Sequence, residues 1–192
     1  MISKKLIEEA KKIALAEAKK YTTPVPFHVM LSAEHAVKLT ELTGAKSDIV
    51  EIGIYLMDAM LGRAVEQGKI PSHMQMGVEN AKELLDKFGI IGEDRENILA
   101  CVREHHGVSK FSTLESEVCC NADCYRFISV RGFIGAARFV RGTMSFDAWI
   151  ALMDEKIEEK WNALTLDVCK KELEPQYQAI KELMKEYHTH EL

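Results

Sequence analysis

Asp58 is the residue whose type and setting most directly suggest chemistry. Residues 54–62 read IYLMDAMLG, so its carboxylate stands in a stretch that is otherwise apolar or glycine. A carboxylate buried without a partner is costly, because it must either give up its charge through a raised pKa or gain a positively charged neighbour. A divalent cation would meet that need. The stretch therefore predicts that Asp58 is a metal ligand.

Four histidines and a second aspartate are further candidate ligands. They are His28, His73, His105, His106 and Asp123. Taken one at a time, most are more easily explained as a helix cap, a surface group or a hydrogen-bonded residue. As a set they lie on separate predicted helices, and imidazole with carboxylate suits Fe, Mn, Zn, Ni or Co. Their convergence would form a site for one or two divalent ions.

The elements that position these residues are predicted to be helices. Apolar residues recur at three- and four-residue steps, alternation with period two is weak, and Pro occurs only 4 times. The predicted helices cover about 2–20, 27–43, 48–61, 72–88, 93–106, 114–130, a segment opening at Ser145, and 165–187. The helix over 48–61 is apolar nearly all round, so it should be central and buried.

Several residues are predicted to start or end these helices. Gly44 should end the second helix in a left-handed conformation, and Asp48 with Glu51 resembles a capping box that opens the third. The sixth helix could continue to residue 139, with Gly132 and Gly135 as breaks. The last is expected to be interrupted or kinked at Pro175.

Composition limits the class of protein. The chain has 192 residues, 47% of them hydrophobic, which is enough for one sizeable core and predicts a single domain over 1–192. The net charge of −5, without a basic face, argues against a nucleic-acid polymer as partner. No signal peptide or apolar run of about 18 residues is present, so we expect a cytoplasmic protein without a membrane partner. The five cysteines should be free thiols.

The ordered ligand set resembles that of the HD superfamily of metal-dependent phosphohydrolases. The resemblance covers about residues 27–130 and includes flanking segments: Ser32, Ala36 and Leu39 after His28, and the motifs HMQMGVENAKELLDKFG, VREHHG and CCNADCYRF. It implies an all-α, single-domain helical bundle of the HD-domain type. The C-terminal helices, about 145–187, would pack on this core.

The chain departs from the family at its defining dipeptide, where Met57-Asp58 replaces His-Asp. In family members with two metals, the resemblance assigns the first ion to His28, Met57, Asp58 and Asp123. It assigns the second to Asp58, His73, His105 and His106. A thioether is a weak donor to these metals, so the first site is damaged and the second is complete. Either the first ion binds through the remaining ligands and water, or only the second binds, or the pocket binds a ligand without catalysis.

Two other residues could fill the place of the missing imidazole. His35 lies one heptad after His28 on the same side of its helix, and Cys119 precedes Asp123 by one turn. A solvent-facing or supporting role for His35 and a buried, apolar role for Cys119 are the simpler explanations.

The predicted function is hydrolysis of a small phosphorylated metabolite, most plausibly a nucleotide, by a metal-bound hydroxide. Asp58 would act with Arg63 and Lys110 in catalysis, and Arg63, Lys110 and Arg126 would hold the substrate phosphate. The alternative is a non-catalytic HD-fold module that binds a metal or a nucleotide. The sequence leaves the oligomeric state open, since the Trp-bearing C-terminal helices could cap the core or form a homodimer surface.

Overall fold

The computed structural model describes residues 2–139 and 144–189, and every regular element within them is helical. The α-helices are α1 (Lys4–Tyr21), α2 (Pro26–Thr43), α3 (Ser47–Leu56), α4 (Leu61–Glu66), α5 (His73–Lys87), α6 (Gly92–Glu104), α7 (Leu114–Ile128), α8 (Val130–Ala136), α9 (Phe146–Ala163) and α10 (Asp167–Thr189). Short 3-10 turns cover Ile70–Ser72 and Ala137–Phe139. The predicted all-α class is confirmed.

Helix α3 lies at the centre of the bundle and packs against α1, α2, α6 and α7. Its side chains Ile49, Val50, Ile52 and Leu56 are fully buried, as the apolar sequence predicted. Helix α7 is buried on nearly all sides, and α9 and α10 pack against it. In the described residues, none of the helices combines the length and apolarity required to span a bilayer.

Two of the predicted helix ends are confirmed. Gly44 ends α2 with φ 76°, in the left-handed region that a residue without Cβ adopts readily. Ser145 caps α9, where its side chain accepts a hydrogen bond from the Ala148 backbone N–H.

The third predicted helix is shorter than expected, and this places Asp58 differently. Helix α3 ends at Leu56, residues 57–60 form a turn, and α4 follows. The turn is closed by bonds across three residues, from the Ala59 N–H to the Leu56 carbonyl and from the Leu61 N–H to the Asp58 carbonyl. Asp58 therefore lies in the turn after α3 and outside the helix.

The predicted capping box of α3 is wrong. The helix starts one residue earlier, at Ser47, and Lys46 precedes it without a capping side-chain bond. The Asp48 carboxylate instead accepts hydrogen bonds from the backbone N–H groups of Ile2 and Ile49. It thereby ties the start of the chain to the start of α3.

The break after α7 occurs at Ser129 and not at the glycines. Ser129 is extended, with φ −86° and ψ 146°, and its side chain caps α8 by accepting from the Gly132 N–H. A Cβ on Gly132 would lie 2.1 Å from the Tyr125 carbonyl oxygen, so glycine allows α8 to fold back closely on α7. Of the two alternatives expected at Pro175, an interruption is wrong, because α10 is continuous through that residue.

Candidate metal centre

Four candidate ligand side chains meet where three helices begin or end. Asp58 is in the turn after α3, His73 is the first residue of α5, and His105 and His106 follow the last residue of α6. One ligand atom from each lies within 4.8 Å of the others. The packing of α6 against both α3 and α5 brings these ends together.

Each of the three imidazole rings is oriented through its Nδ1 atom. His73 Nδ1 is 2.8 Å from the Ile70 carbonyl oxygen, and His105 Nδ1 is 2.8 Å from the Val102 carbonyl oxygen. Because a carbonyl oxygen only accepts, both Nδ1 atoms carry the hydrogen. Their Nε2 atoms are then left with a lone pair, the arrangement that metal-binding histidines show.

His106 is oriented in the same way by a side chain of α9. Its Nδ1 is 3.0 Å from Glu159 Oε1. Burial opposes ionisation of Glu159, but its bond to His106 and the neighbouring Lys160 outweigh burial and lower its pKa, so the carboxylate accepts the hydrogen from Nδ1. Lys160 Nζ lies 3.2 Å from the same Nδ1, and its protons can be donated to Glu159 and to Asp123.

The distances among the four groups fit a divalent cation. His73 Nε2 and His106 Nε2 are 3.1 Å apart, and His105 Nε2 is 3.2 Å from Asp58 Oδ1. With both Nδ1 atoms donating, the two Nε2 lone pairs of His73 and His106 face each other and repel unless a cation lies between them. Three imidazole nitrogens and one carboxylate oxygen form a donor set that suits Fe, Mn, Zn, Ni or Co.

The two other predicted ligands, His28 and Asp123, lie outside this group of four. His28 is fully buried, and its Nε2 is 3.0 Å from the Gly132 carbonyl oxygen. Burial and the nearby Arg126 lower its pKa to about 4, so the neutral ring donates from Nε2 to that carbonyl. The other three rings direct Nε2 at the shared centre, whereas the Nε2 of His28 is bonded to the Gly132 carbonyl.

Asp123 is paired with two cationic side chains. Its Oδ1 is 3.1 Å from Arg126 Nη1, and its Oδ2 is 2.8 Å from Lys160 Nζ. Burial raises the pKa of Asp123, but Arg126 and Lys160 outweigh it and the net shift is downward. The Asp123 carboxylate is therefore ionised, and Arg126 and Lys160 offset its negative charge.

Arg126 also bonds to Asp58, so it connects the two aspartates. Arg126 Nη1 donates to Asp58 Oδ2 at 2.5 Å. Burial alone would raise the pKa of Asp58, but the Arg126 guanidinium holds that pKa well below its usual range. The two oxygens of Asp58 thus face different partners, with Oδ1 toward the histidines and Oδ2 toward Arg126.

A cavity of about 310 Å³ opens beside this centre. Its polar lining consists mainly of Asp58, His73, His106, Arg126, Lys156 and Lys160. The rest of the wall is largely apolar and is formed by Pro24, Leu61, Val65, Ile70, Phe127, Met144 and Leu152. Ligand sites are commonly apolar cavities with a few convergent polar groups, and this volume is at the lower end of their range.

The three predicted phosphate-binding residues are placed in three different surroundings. Arg126 lines the cavity. The Arg63 guanidinium is turned to Glu17, with Nη2 at 2.8 Å from Oε1. Lys110 lines a separate surface depression together with Phe111 and other residues of the connection between α6 and α7.

The two residues considered as substitutes for the missing imidazole are not in the ligand group. The His35 ring stacks on Tyr125 with centroids 3.7 Å apart. Cys119 is buried, and its thiol donates to the Val50 carbonyl. All five cysteines are buried free thiols.

Helix α9 contributes three site residues that the sequence analysis missed: Lys156, Glu159 and Lys160. The sequence alone could have indicated that Lys160 is buried and paired. It lies three residues after Ile157 and seven after Met153, on the apolar stripe of α9, and is 1% exposed. A cation on a buried stripe requires a charged partner, which is the same argument that identified Asp58.

Comparisons with known proteins establish the fold. No protein-family model and no curated protein matches the chain. A crystal structure from Lactobacillus plantarum matches with a TM-score of 0.74 at 15% identity, covering 98% of both chains. A structure described as a predicted HD superfamily hydrolase, from an uncultured Thermotogales bacterium, has a TM-score of 0.67 at 16% identity and covers 95% of this chain and 91% of that one. Bacillus subtilis YpgQ in complex with ADP has a TM-score of 0.62 at 20% identity, with 96% and 95% covered.

Proposed function

We propose that this protein is a metal-dependent phosphohydrolase that acts on a small phosphorylated metabolite, with a nucleotide as the favoured class. The observation that carries the proposal is the meeting of three imidazole Nε2 atoms with Asp58 Oδ1 at the wall of a cavity that also contains Arg126, Lys156 and Lys160. Its fold is shared with a structure described as a predicted HD superfamily hydrolase.

The protein's own residues would divide the work of hydrolysis. Asp58, His73, His105 and His106 would hold the ion, which supplies an activated water and offsets charge on the phosphoryl oxygens. Glu159 holds the proton on His106 Nδ1 and fixes the direction of its Nε2. Arg126 and the two lysines would bind the phosphate oxygens.

The lining of the cavity supports a nucleotide as substrate. Its cationic side chains would bind the phosphate oxygens. Its apolar wall, which includes Phe127, Met144 and Leu152, would pack against a flat base and exclude water. YpgQ, which shares the fold, has been solved with ADP.

The test is phosphate release from a nucleotide panel and from an aryl phosphate, in the presence of Mn²⁺ or Fe²⁺. Metal-dependent turnover is expected for the wild type. Asp58→Asn should abolish metal binding and turnover together, because the amide lacks the charge that burial of the cation requires. Asp86→Asn is the matched control, since the Asp86 carboxylate is exposed and the variant should behave as wild type.

Full metal occupancy in Asp58→Asn would contradict the assignment of the site. Metal binding without turnover of any phosphate ester would identify the protein as the non-catalytic binding module. Occupancy is measured by elemental analysis of tag-free protein, so that a purification tag contributes no metal.

A further inference from the structure

Two buried cations lie beside the aspartates, Arg126 between Asp58 and Asp123 and Lys160 next to Asp123. Arg126 Nη1 is 2.5 Å from Asp58 Oδ2 and 3.1 Å from Asp123 Oδ1. Lys160 Nζ is 2.8 Å from Asp123 Oδ2. One guanidinium and one ammonium group therefore contact the two carboxylates that an ion at this position would use.

Both cations are permanent parts of the interior. Arg126 is 5% exposed and Lys160 1%, and such side chains are almost never buried unless they are paired. Each has such a partner: Arg126 Nη1 contacts Asp58 and Asp123, and Lys160 Nζ contacts Asp123. Arg126 is paired with Asp58 and Asp123, and Lys160 with Asp123 and Glu159, so an ion at this position would have to displace both cations from the carboxylates.

This position also lacks an imidazole at residue 57, and the Nε2 of His28 is directed elsewhere. Met57 is 2% exposed and belongs to the hydrophobic core, and its thioether is a weak donor. His28 Nε2 donates to the Gly132 carbonyl. The place of the first ion thus offers carboxylates that are already neutralised and no suitably directed nitrogen from the Met57 position.

We propose that Arg126 and Lys160 replace the first metal ion, so that the protein binds a single divalent cation on Asp58, His73, His105 and His106. This inference rests on the metal centre of the proposed function. In a bound complex Arg126 would be a positioning residue for Asp58 and would present positive charge to the substrate from the position of the missing ion. The centre is then one metal ion with an adjoining guanidinium.

The number of Mn²⁺ ions bound per chain tests the inference. Tag-free protein is loaded with Mn²⁺ and desalted, and the bound metal is measured by elemental analysis and by electron paramagnetic resonance. One ion per chain with the spectrum of an isolated Mn²⁺ is expected. Two ions with a spin-coupled spectrum would overturn the inference and leave the proposed function standing, whereas no bound ion would overturn both.

Variants distinguish two reasons why the first ion would not bind. Either Arg126 and Lys160 take its place, or only the imidazole at position 57 is missing. Met57→His restores the imidazole, but one ion per chain is still expected because the two cations remain. If Met57→His alone binds two ions, the inference is wrong. Adding Arg126→Gln and Lys160→Gln to Met57→His should admit the second ion.

A matched control removes the same number of cations from elsewhere. It combines Met57→His with Arg131→Gln and Lys181→Gln, whose side chains form exposed ion pairs with Glu34 and Glu158. This control should bind one ion. If the variant without Arg126 and Lys160 folds only when Mn²⁺ is added, as seen by circular dichroism, that dependence supports the inference, because the carboxylates then need the ion.

Discussion

The carboxylate of Asp58 has two chemically different sides. Its Oδ1 is 3.2 Å from His105 Nε2, in the ligand cluster, and its Oδ2 accepts from Arg126 at 2.5 Å. A fixed positive charge on Oδ2 holds the carboxylate ionised and oriented before any ion arrives. Such preorganisation favours binding, because the ligand does not have to be deprotonated or turned.

Glu159 should affect metal affinity although it does not face the metal position. Glu159→Ala removes the acceptor that fixes His106 Nδ1, so we expect metal affinity to fall by about 10- to 100-fold. Isothermal titration with Mn²⁺ measures the change. Glu155→Ala, on the exposed side of α9, is the control and should leave affinity unchanged. Equal affinities in all three proteins would show that Glu159 does not orient His106.

At the scale of single residues, the sequence indicated the ligands better than the cations. Asp58 stood out because its neighbours are apolar, and three of the four predicted histidines lie with it, whereas His28 and Asp123 do not. Lys160 met the same criterion but was missed, because a lysine is usually assumed to be solvated. The partner of Arg126 could not be read from the sequence, since Asp58 lies 68 positions away.

At the scale of elements, the four clustered side chains are carried by helix ends and the turn after α3. The sequence predicted most helices closely, but it extended the third through Asp58 and the fifth through His106. The apolar periodicity of residues 54–61 continues beyond Leu56, so nothing local marks the turn. The turn depends on how α4 packs, which involves residues distant in sequence such as Tyr21 and Thr23 against Gly62.

Close packing of α3 on α6 depends on Gly53. A Cβ there would lie 2.4 Å from the Cys101 Cβ, so Gly53→Ala should destabilise the protein by about 1–3 kcal/mol through overpacking. Urea unfolding measures the loss. Gly77→Ala is the comparison, because its nearest contacts would be 3.3 Å from Val102 Cγ1 and 3.4 Å from the Met57 carbonyl oxygen. It should cost less, and the reverse order would contradict the packing described here.

At the scale of the whole molecule, two buried carboxylates join α6 and α7 to each other, to the loop between them and to the start of α3. Glu104 accepts from Ser112 and Ser116, and Glu115 accepts from the Lys46 backbone N–H and from Asn97. Burial would raise the pKa of Glu115, but these hydrogen bonds outweigh it and lower that pKa below its ordinary value of 4.5.

The lowered pKa of Glu115 predicts how stability depends on pH. A group whose pKa is lower in the folded state stabilises the protein above its unfolded pKa, and this contribution is lost as pH falls through the folded pKa. Stability should therefore decline below about pH 4.5, and Glu115→Gln should make the decline shallower. Urea unfolding between pH 3 and 7 measures how the free energy of unfolding changes with pH in the wild type and in Glu115→Gln.

Glu51 provides a control of opposite sign. Burial and the nearby Asp48 raise the pKa of Glu51, so its contribution is present at low pH and is lost as pH rises through the raised value. Glu51→Gln should therefore make the acid decline steeper. Equal slopes in the two variants would show that neither carboxylate is linked to folding as described.

The ion pairs formed by Arg126 and Lys160 also bear on the order of events during maturation of the protein. Many small metalloproteins are unfolded without their ion, because clustered ligands are unfavourable in its absence. Here both buried aspartates already have a positively charged partner within the chain. The tertiary structure therefore does not require an ion to offset these two charges, and under the proposed function metal supply would govern activity and leave protein abundance largely unaffected.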